Sequence, residues 1–241
     1  MTLDFYIWIG IIVADVLCSA AWIREFNNFI LPMANYILLV LMAQIFAVKL
    51  IVYPVLGLTA TMGTMLYPET IVLLDIINEF YGKHTAYMSV VAGAIAQVFM
   101  IAYFLISLGI ASVNGVDAAW SRIFSVSARI ATASIIAFII DELFDAYVYA
   151  YFKEKMPSKL YFRYLVADIP TLTIDTVVFT PIAFYGVVPV LPLMEALFIL
   201  KYLMGAASTP LMYAARYIGK RGGNPERGNL PQKLPANFHE G

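Results

Sequence analysis

Between Phe5 and Tyr217 the chain returns seven times to an apolar run long enough to cross a lipid bilayer, which takes about twenty residues of helix. The runs are Phe5 to Trp22, Met33 to Tyr53, Leu56 to Tyr81, Thr85 to Ile110, Ser125 to Phe152, Ile169 to Val188 and Leu191 to Tyr217. In hydrocarbon every backbone N–H and C=O needs a partner inside the protein, so runs of this length predict helices. The expected fold is an all-α, polytopic integral membrane protein with seven transmembrane helices. Composition agrees: 62% of the 241 residues are hydrophobic and 13% are charged, against about 25% charged in a soluble domain.

The N-terminus lacks the positive region that opens a secretory signal, so the first run is expected to stay in the protein rather than be cleaved near Ser19-Ala20-Ala21. Cys18 lies in that run and is the single cysteine, which excludes an internal disulfide framework.

Orientation follows from the cations between runs. With seven spans, Arg24, Lys83, Lys153, Lys155, Lys159 and Arg163 share one side with Lys220, Arg221, Arg227 and Lys233 of the tail, and Arg122 stands on the other. The positive-inside rule then puts the N-terminus outside and the C-terminus in the cytoplasm. Beyond Tyr217 the sequence turns to Gly-Lys-Arg-Gly-Gly-Asn-Pro-Glu-Arg-Gly, the composition of a solvated tail. Three segments are therefore expected: residues 1–32, an N-terminal helix and loop; 33–217, a six-helix core; and 218–241, a disordered cytoplasmic tail.

Two runs carry proline where a spanning helix should be continuous. Pro68 lies in the third, after Gly57, Thr59, Thr61, Gly63 and Thr64, and predicts a broken helix with backbone groups open to a cavity. Glu69 would then face the positive end of the second half-helix. The sixth run has Pro170 before Asp175 and Pro181 after it. Without the first helix, the remaining six divide into two oppositely directed groups of three. A proline-bearing helix with an aspartate, Asp75 or Asp175, sits second in each, the pattern of a transporter built from inverted repeats.

Charges inside the runs point to function, because a lone Asp or Arg at the bilayer centre costs roughly 2.5 to 3.5 kcal/mol. The fifth run holds Arg129, Asp141, Glu142 and Asp145. Asp75 with Glu79, and Asp141 with Asp145, are four apart and share a helix face. Lys49, Arg129 and Lys201 fall in the outer half by helical rise, whereas the acids Asp75, Glu79, Asp141, Glu142, Asp145 and Asp175 run from the middle toward the cytoplasm. Glu79, beside Lys83, reads first as a snorkelling pair, and Gln44 as an interhelical hydrogen-bonding group. There is no His-Glu-x-x-His, no Gly-x-Ser-x-Gly and no Gly-x-x-x-x-Gly-Lys, so no catalytic or metal-ligating residue is assigned and no cofactor is expected.

Three blocks together resemble the queuosine precursor transporter family, also called the vitamin uptake transporter family. They are Pro68-x-Thr70 with Asp75-Ile-Ile-Asn78-Glu79-Phe-Tyr-Gly82; Arg129-Ile-Ala-Thr-Ala-Ser134 through to Asp145; and Ile174-Asp175-Thr176-Val-Val-Phe179 ending in Ile-Ala-Phe-Tyr-Gly186. The resemblance covers about Tyr36 to Tyr217 and implies a six-helix core that takes up 7-deazaguanine compounds, precursors of modified transfer-RNA bases. Glu142 departs from the glutamine usual before Asp145's block position, Leu172 from a frequent amide, and Glu69 from a usually apolar position.

On this resemblance the substrate-binding residues are expected among Asp75, Arg129, Glu142, Asp145, Asp175, Thr176 and Lys201. Gln44, Glu69, Asn78, Glu79 and Asp141 are expected to support or couple. A 7-deazaguanine presents an N1–H beside a 2-amino group, a donor pair that one carboxylate accepts in two prongs. The expected partners are the bilayer and a nucleobase-like small molecule, with no nucleic acid. A homo-oligomer and an ATP-driven partner subunit stay open. Two other functions stay open as well: a capture subunit of an ATP-driven uptake system, and a membrane-embedded lipid enzyme.

Overall fold

A computed structural model describes residues 2–54, 56–155 and 160–220, and their side chains except at 2, 125–128, 142, 145, 146, 149, 150, 153, 154 and 160–169. The expected tail lies mostly outside the described residues. The helices are α1 Thr2–Phe26, α2 Ile30–Ala47, α3 Tyr67–Tyr81, α4 Lys83–Leu108, α5 Asp117–Lys155, α6 Leu160–Phe184 and α7 Val190–Lys220. Five of these elements contain a window long and apolar enough to cross a membrane: α1, α2, α4, the Asp117–Asp141 part of α5, and α7. α6 adds a shorter apolar stretch, Pro170–Phe184. The chain is a mostly helical, multi-pass membrane protein.

The side chains are sorted as a bilayer demands. On α4 the exposed Tyr87, Met88, Val91, Ile95, Val98 and Phe99 form one stripe, and the buried Ala86, Ser89, Val90, Gly93 and Gln97 form the other. Large apolar groups face outward and small or polar groups face the protein, which lets helix backbones approach. Gly93 illustrates the closeness: a Cβ there would stand 3.3 Å from the Phe138 ring and 3.6 Å from that of Tyr36.

α3 is the central helix. Every residue from Pro68 to Asn78 is buried, with α1, α2, α4 and α7 packed around it. A helix so enclosed can carry Glu69, Asp75 and Asn78 without presenting them to lipid. α1 rests on α7, α2 and α3.

The expected break at Pro68 is present and larger than the sequence reading foresaw. α2 stops at Ala47, and an antiparallel hairpin follows, with β1 Leu50–Val52 paired to β2 Thr59–Thr61 in the register Leu50 to Thr61 and Val52 to Thr59. A 3-10 turn, Met62–Met65, leads into α3, whose first turn holds Pro68. Local chemistry explains the hairpin. Ile51, Val52, Thr59 and Thr61 are β-branched, Pro54 cannot donate a backbone hydrogen bond, and Gly57 turns the chain at φ +65°. Tyr53 then locks the hairpin by donating its hydroxyl to the Thr61 carbonyl at 2.8 Å. These strands are the departure from an all-α chain.

The base of the hairpin lies directly on α2. A Cβ on Gly63 would fall 2.4 Å from the Ala43 carbonyl oxygen, so only glycine permits this approach. The corresponding proline-bearing helix of the second half behaves differently, because α6 runs through Pro170 and Pro181 without a break. Its polar groups turn back on the helix, as where the Thr176 hydroxyl donates to the Leu172 carbonyl at 2.7 Å.

Candidate functional site

The hairpin base, the start of α3 and the facing sides of α2, α5, α6 and α7 enclose a cavity of about 70 Å³. α2 gives it Val40, Ala43, Gln44 and Ala47, and the hairpin base gives Thr61, Gly63 and Thr64. Tyr67 and Thr70 come from α3, Ser134, Phe138 and Asp141 from α5, Asp175 and Phe179 from α6, and Leu197 and Lys201 from α7. Some polar groups of its lining are tied locally. Thr61 and Thr64 share a hydroxyl hydrogen bond of 2.9 Å, and the Thr70 hydroxyl donates to the Tyr67 carbonyl at 2.7 Å.

The charged centre joins four helices. The Lys201 ammonium pairs with Asp175 Oδ2. It also lies 4.3 Å from the centre of the Tyr67 ring, within cation–π range. The Tyr67 hydroxyl in turn donates to Asp141 Oδ2 at 2.5 Å. Lys201, Asp141 and Asp175 are each at least nine-tenths buried. Buried charges this far from water persist only in mutual contact. The arrangement brings carboxylate acceptors, one ammonium and an aromatic face together around one cavity.

Of the residues expected at the site, Gln44, Asp141, Asp175 and Lys201 line this cavity. Thr176 is buried beside it, with its hydroxyl bonded within α6. Asp75 and Asn78 are buried on α3 and do not line it. Arg129 is exposed, and its Nε donates to the Ile182 carbonyl at 2.8 Å. Glu79 does not rely on Lys83: it pairs with Arg216 Nη2 of α7 at 2.8 Å. Glu142 and Asp145 lie on α5, and their side chains are outside the described residues.

Glu69 belongs to a second cleft, between α1, α2 and α3. Asp15 of α1 lines the same cleft. Asn35 of α2 donates its amide to Asp15 Oδ1 and also to the Ser19 hydroxyl, the latter at 3.1 Å. Asp15, Asn35 and Tyr67 are polar participants that sequence reading missed. For Tyr67 a signal existed, since Pro68 marks the start of a helix and so of its first turn, where a neighbouring side chain borders the break.

Residues 61–215 match the family described as "putative vitamin uptake transporter". That segment runs from the hairpin base through α7 and contains the cavity residues of α3, α5, α6 and α7. The chain belongs to this family. The transporter is also 29% identical, over 167 residues, to a protein of Bacillus subtilis (strain 168) named "probable queuosine precursor transporter". The alignment covers 66% of the transporter and 73% of that relative. No solved structure gives a significant match to it. As a multi-pass member of a transporter family, it resides in the cell membrane.

Proposed function

We propose that the protein imports 7-deazaguanine precursors of queuosine or archaeosine, such as preQ0 or preQ1, across the cytoplasmic membrane. The observation that carries this reading is the enclosed pair of carboxylates, Asp141 and Asp175, in a transporter whose relative is named for queuosine precursors. Either carboxylate can accept the adjacent N1–H and 2-amino donors of such a base. Lys201 supplies the cation that allows two carboxylates to stay in the membrane interior. Gln44, Thr64 and Ser134 add polar contacts on the remaining walls.

The accompanying proposals are a seven-span topology with the N-terminus outside, a core over residues 33–217, and transport rather than catalysis. Glu142 and Asp145, on the same helix as Asp141, and Arg129 remain proposed contacts of a more open form. Asp75, Thr176, Asn78, Glu79 and Glu69 are proposed as supporting groups. Ala43 and Ala47 line the cavity beside Gly63.

Proteoliposomes holding the purified protein test this. Accumulation of labelled preQ0 or preQ1 without ATP or added protein is expected, and Asp175→Asn is expected to abolish it. Uptake only after addition of an ATP-driven subunit would overturn secondary transport. No uptake of any 7-deazaguanine by a folded sample would overturn the substrate.

A further inference from the structure

The cavity is small for a site that takes an organic ligand. Sites for small organic molecules usually enclose roughly 300–1,000 Å³, against about 70 Å³ here. Part of the missing room is taken by the protein itself. The ammonium of Lys201 stands where two features that a flat, donor-edged ring needs come together: the carboxylate of Asp175 and the face of the Tyr67 ring.

We propose that Tyr67 is the stacking platform for the ligand ring and that the Lys201 ammonium is a tethered stand-in, which the ligand displaces from Asp175 and from the ring face. This rests on the reading above that the ligand is a planar base with two adjacent N–H donors. The exchange leaves neither group without a partner. Asp175 gives up an ammonium donor and receives two ring-edge donors. The Tyr67 ring gives up a cation and receives a π face.

The displaced ammonium has a place to go. Asp141 already acts electrostatically on Lys201 and holds the Tyr67 hydroxyl. The flexible four-carbon stem of lysine allows a move from Asp175 to Asp141 without a backbone shift. Tyr67 is fixed for the task at its far end, so its ring presents the same face to either occupant. Return of the ammonium to Asp175 would then expel the base, which makes Lys201 part of release.

The stand-in role and an ordinary contact role predict opposite signs. A stand-in lowers the fraction of protein able to bind, so removing it tightens binding, whereas removing a contact weakens it. Affinity for preQ0, an uncharged probe, is measured by titration calorimetry on the detergent-purified full chain and on Lys201→Met, Tyr67→Leu and Tyr67→Phe. Lys201→Met is expected to bind at least about tenfold more tightly and, in proteoliposomes, to show a lower KM with a lower maximal uptake rate. Tyr67→Leu is expected to bind about tenfold more weakly, and Tyr67→Phe, which keeps the ring, to lose far less. If Lys201→Met fails to fold, Lys201→Gln, whose shorter and uncharged side chain competes less for Asp175, takes its place with the same expected sign.

Weaker binding by the Lys201 variant would overturn the stand-in, and equal binding by Tyr67→Leu would overturn the platform, in both cases with the substrate reading intact. A folded parent that binds neither preQ0 nor preQ1 would sink the substrate reading and this inference with it.

Discussion

Arg216 on α7 reaches Glu79 near the end of α3, Nη2 to Oε1 at 2.8 Å, and so ties the last helix of the chain to its most enclosed one. The Glu79 side chain is 7% exposed and that of Arg216 23%. Breaking a pair at this depth withdraws a cation from a buried carboxylate, which costs more than breaking a surface pair. Arg216→Met is therefore expected to lower stability by on the order of 1–3 kcal/mol, a few degrees of melting midpoint in detergent. Lys83→Met, which removes the cation four residues along, is expected to change the midpoint by less. Thermal melts of the two variants decide it, and an equal loss in both would refute the assignment of Arg216.

A second expectation concerns two glycines that look alike in the sequence. A Cβ on Gly63 meets the backbone oxygen of Ala43 at 2.4 Å, whereas a Cβ on Gly219 meets the ring edge of Phe80 at 2.6 Å. Backbone cannot yield without moving the hairpin off α2, but the end of a phenylalanine side chain can turn. Gly63→Ala is expected to lower the melting midpoint and impair ligand binding, because Gly63 and Thr64 form one wall of the cavity. Gly219→Ala is expected to cost clearly less stability and to leave binding near the parent value. Comparable losses would mean that the hairpin base is more compliant than its contact with Ala43 implies.

The contrast between what the sequence could and could not disclose follows from range. α1 and α4 were readable because twenty apolar residues with a lipid-facing stripe are a local pattern, and Pro68 was readable because a missing N–H is a local fact. The hairpin was not, although Pro54 and Gly57 punctuate it, because Ile51, Val52 and Tyr53 are apolar enough to extend a spanning helix on paper. Glu79 has Lys83 one helical turn away in sequence, and that proximity masked Arg216, which is brought in only by the packing of α7 on α3. Asp175 and Lys201 were both singled out from the depth of their charges, but their pairing is a property of α6 meeting α7. Tyr67 is one of 16 tyrosines, so in an aromatic-rich chain its type alone carries no signal.

The cleft behind α3 yields a third test. Asp15 and Glu69 line this cleft together, and Asn35 keeps Ser19 if either is made apolar. Asp15→Leu and Glu69→Leu are each expected to destabilise the protein, because each leaves a carboxyl group in an apolar cleft. The double variant is expected to recover part of that loss, with a coupling of about 1–2 kcal/mol in a double-mutant cycle. Strict additivity would show that the two groups act independently.

The last test addresses the proposed orientation, which rests on charge counting. The α4–α5 connection contains Val113, fully exposed, and α7 ends at Lys220. With seven spans and the N-terminus outside, α4 rises to the outer face and α7 descends to the cytoplasm, so these two points lie on opposite sides of the membrane. In a Cys18→Ser background, Val113→Cys is expected to react with a membrane-impermeant maleimide added to intact cells. Lys220→Cys is expected to react only after the membrane is opened. The assay depends on neither substrate nor transport. The reverse result would place the N-terminus inside. Labelling of both positions from outside would mean that the chain crosses an even number of times between them, because one of α5, α6 and α7 fails to span. α6, with its short apolar stretch Pro170–Phe184, is the helix on which that outcome would fall first.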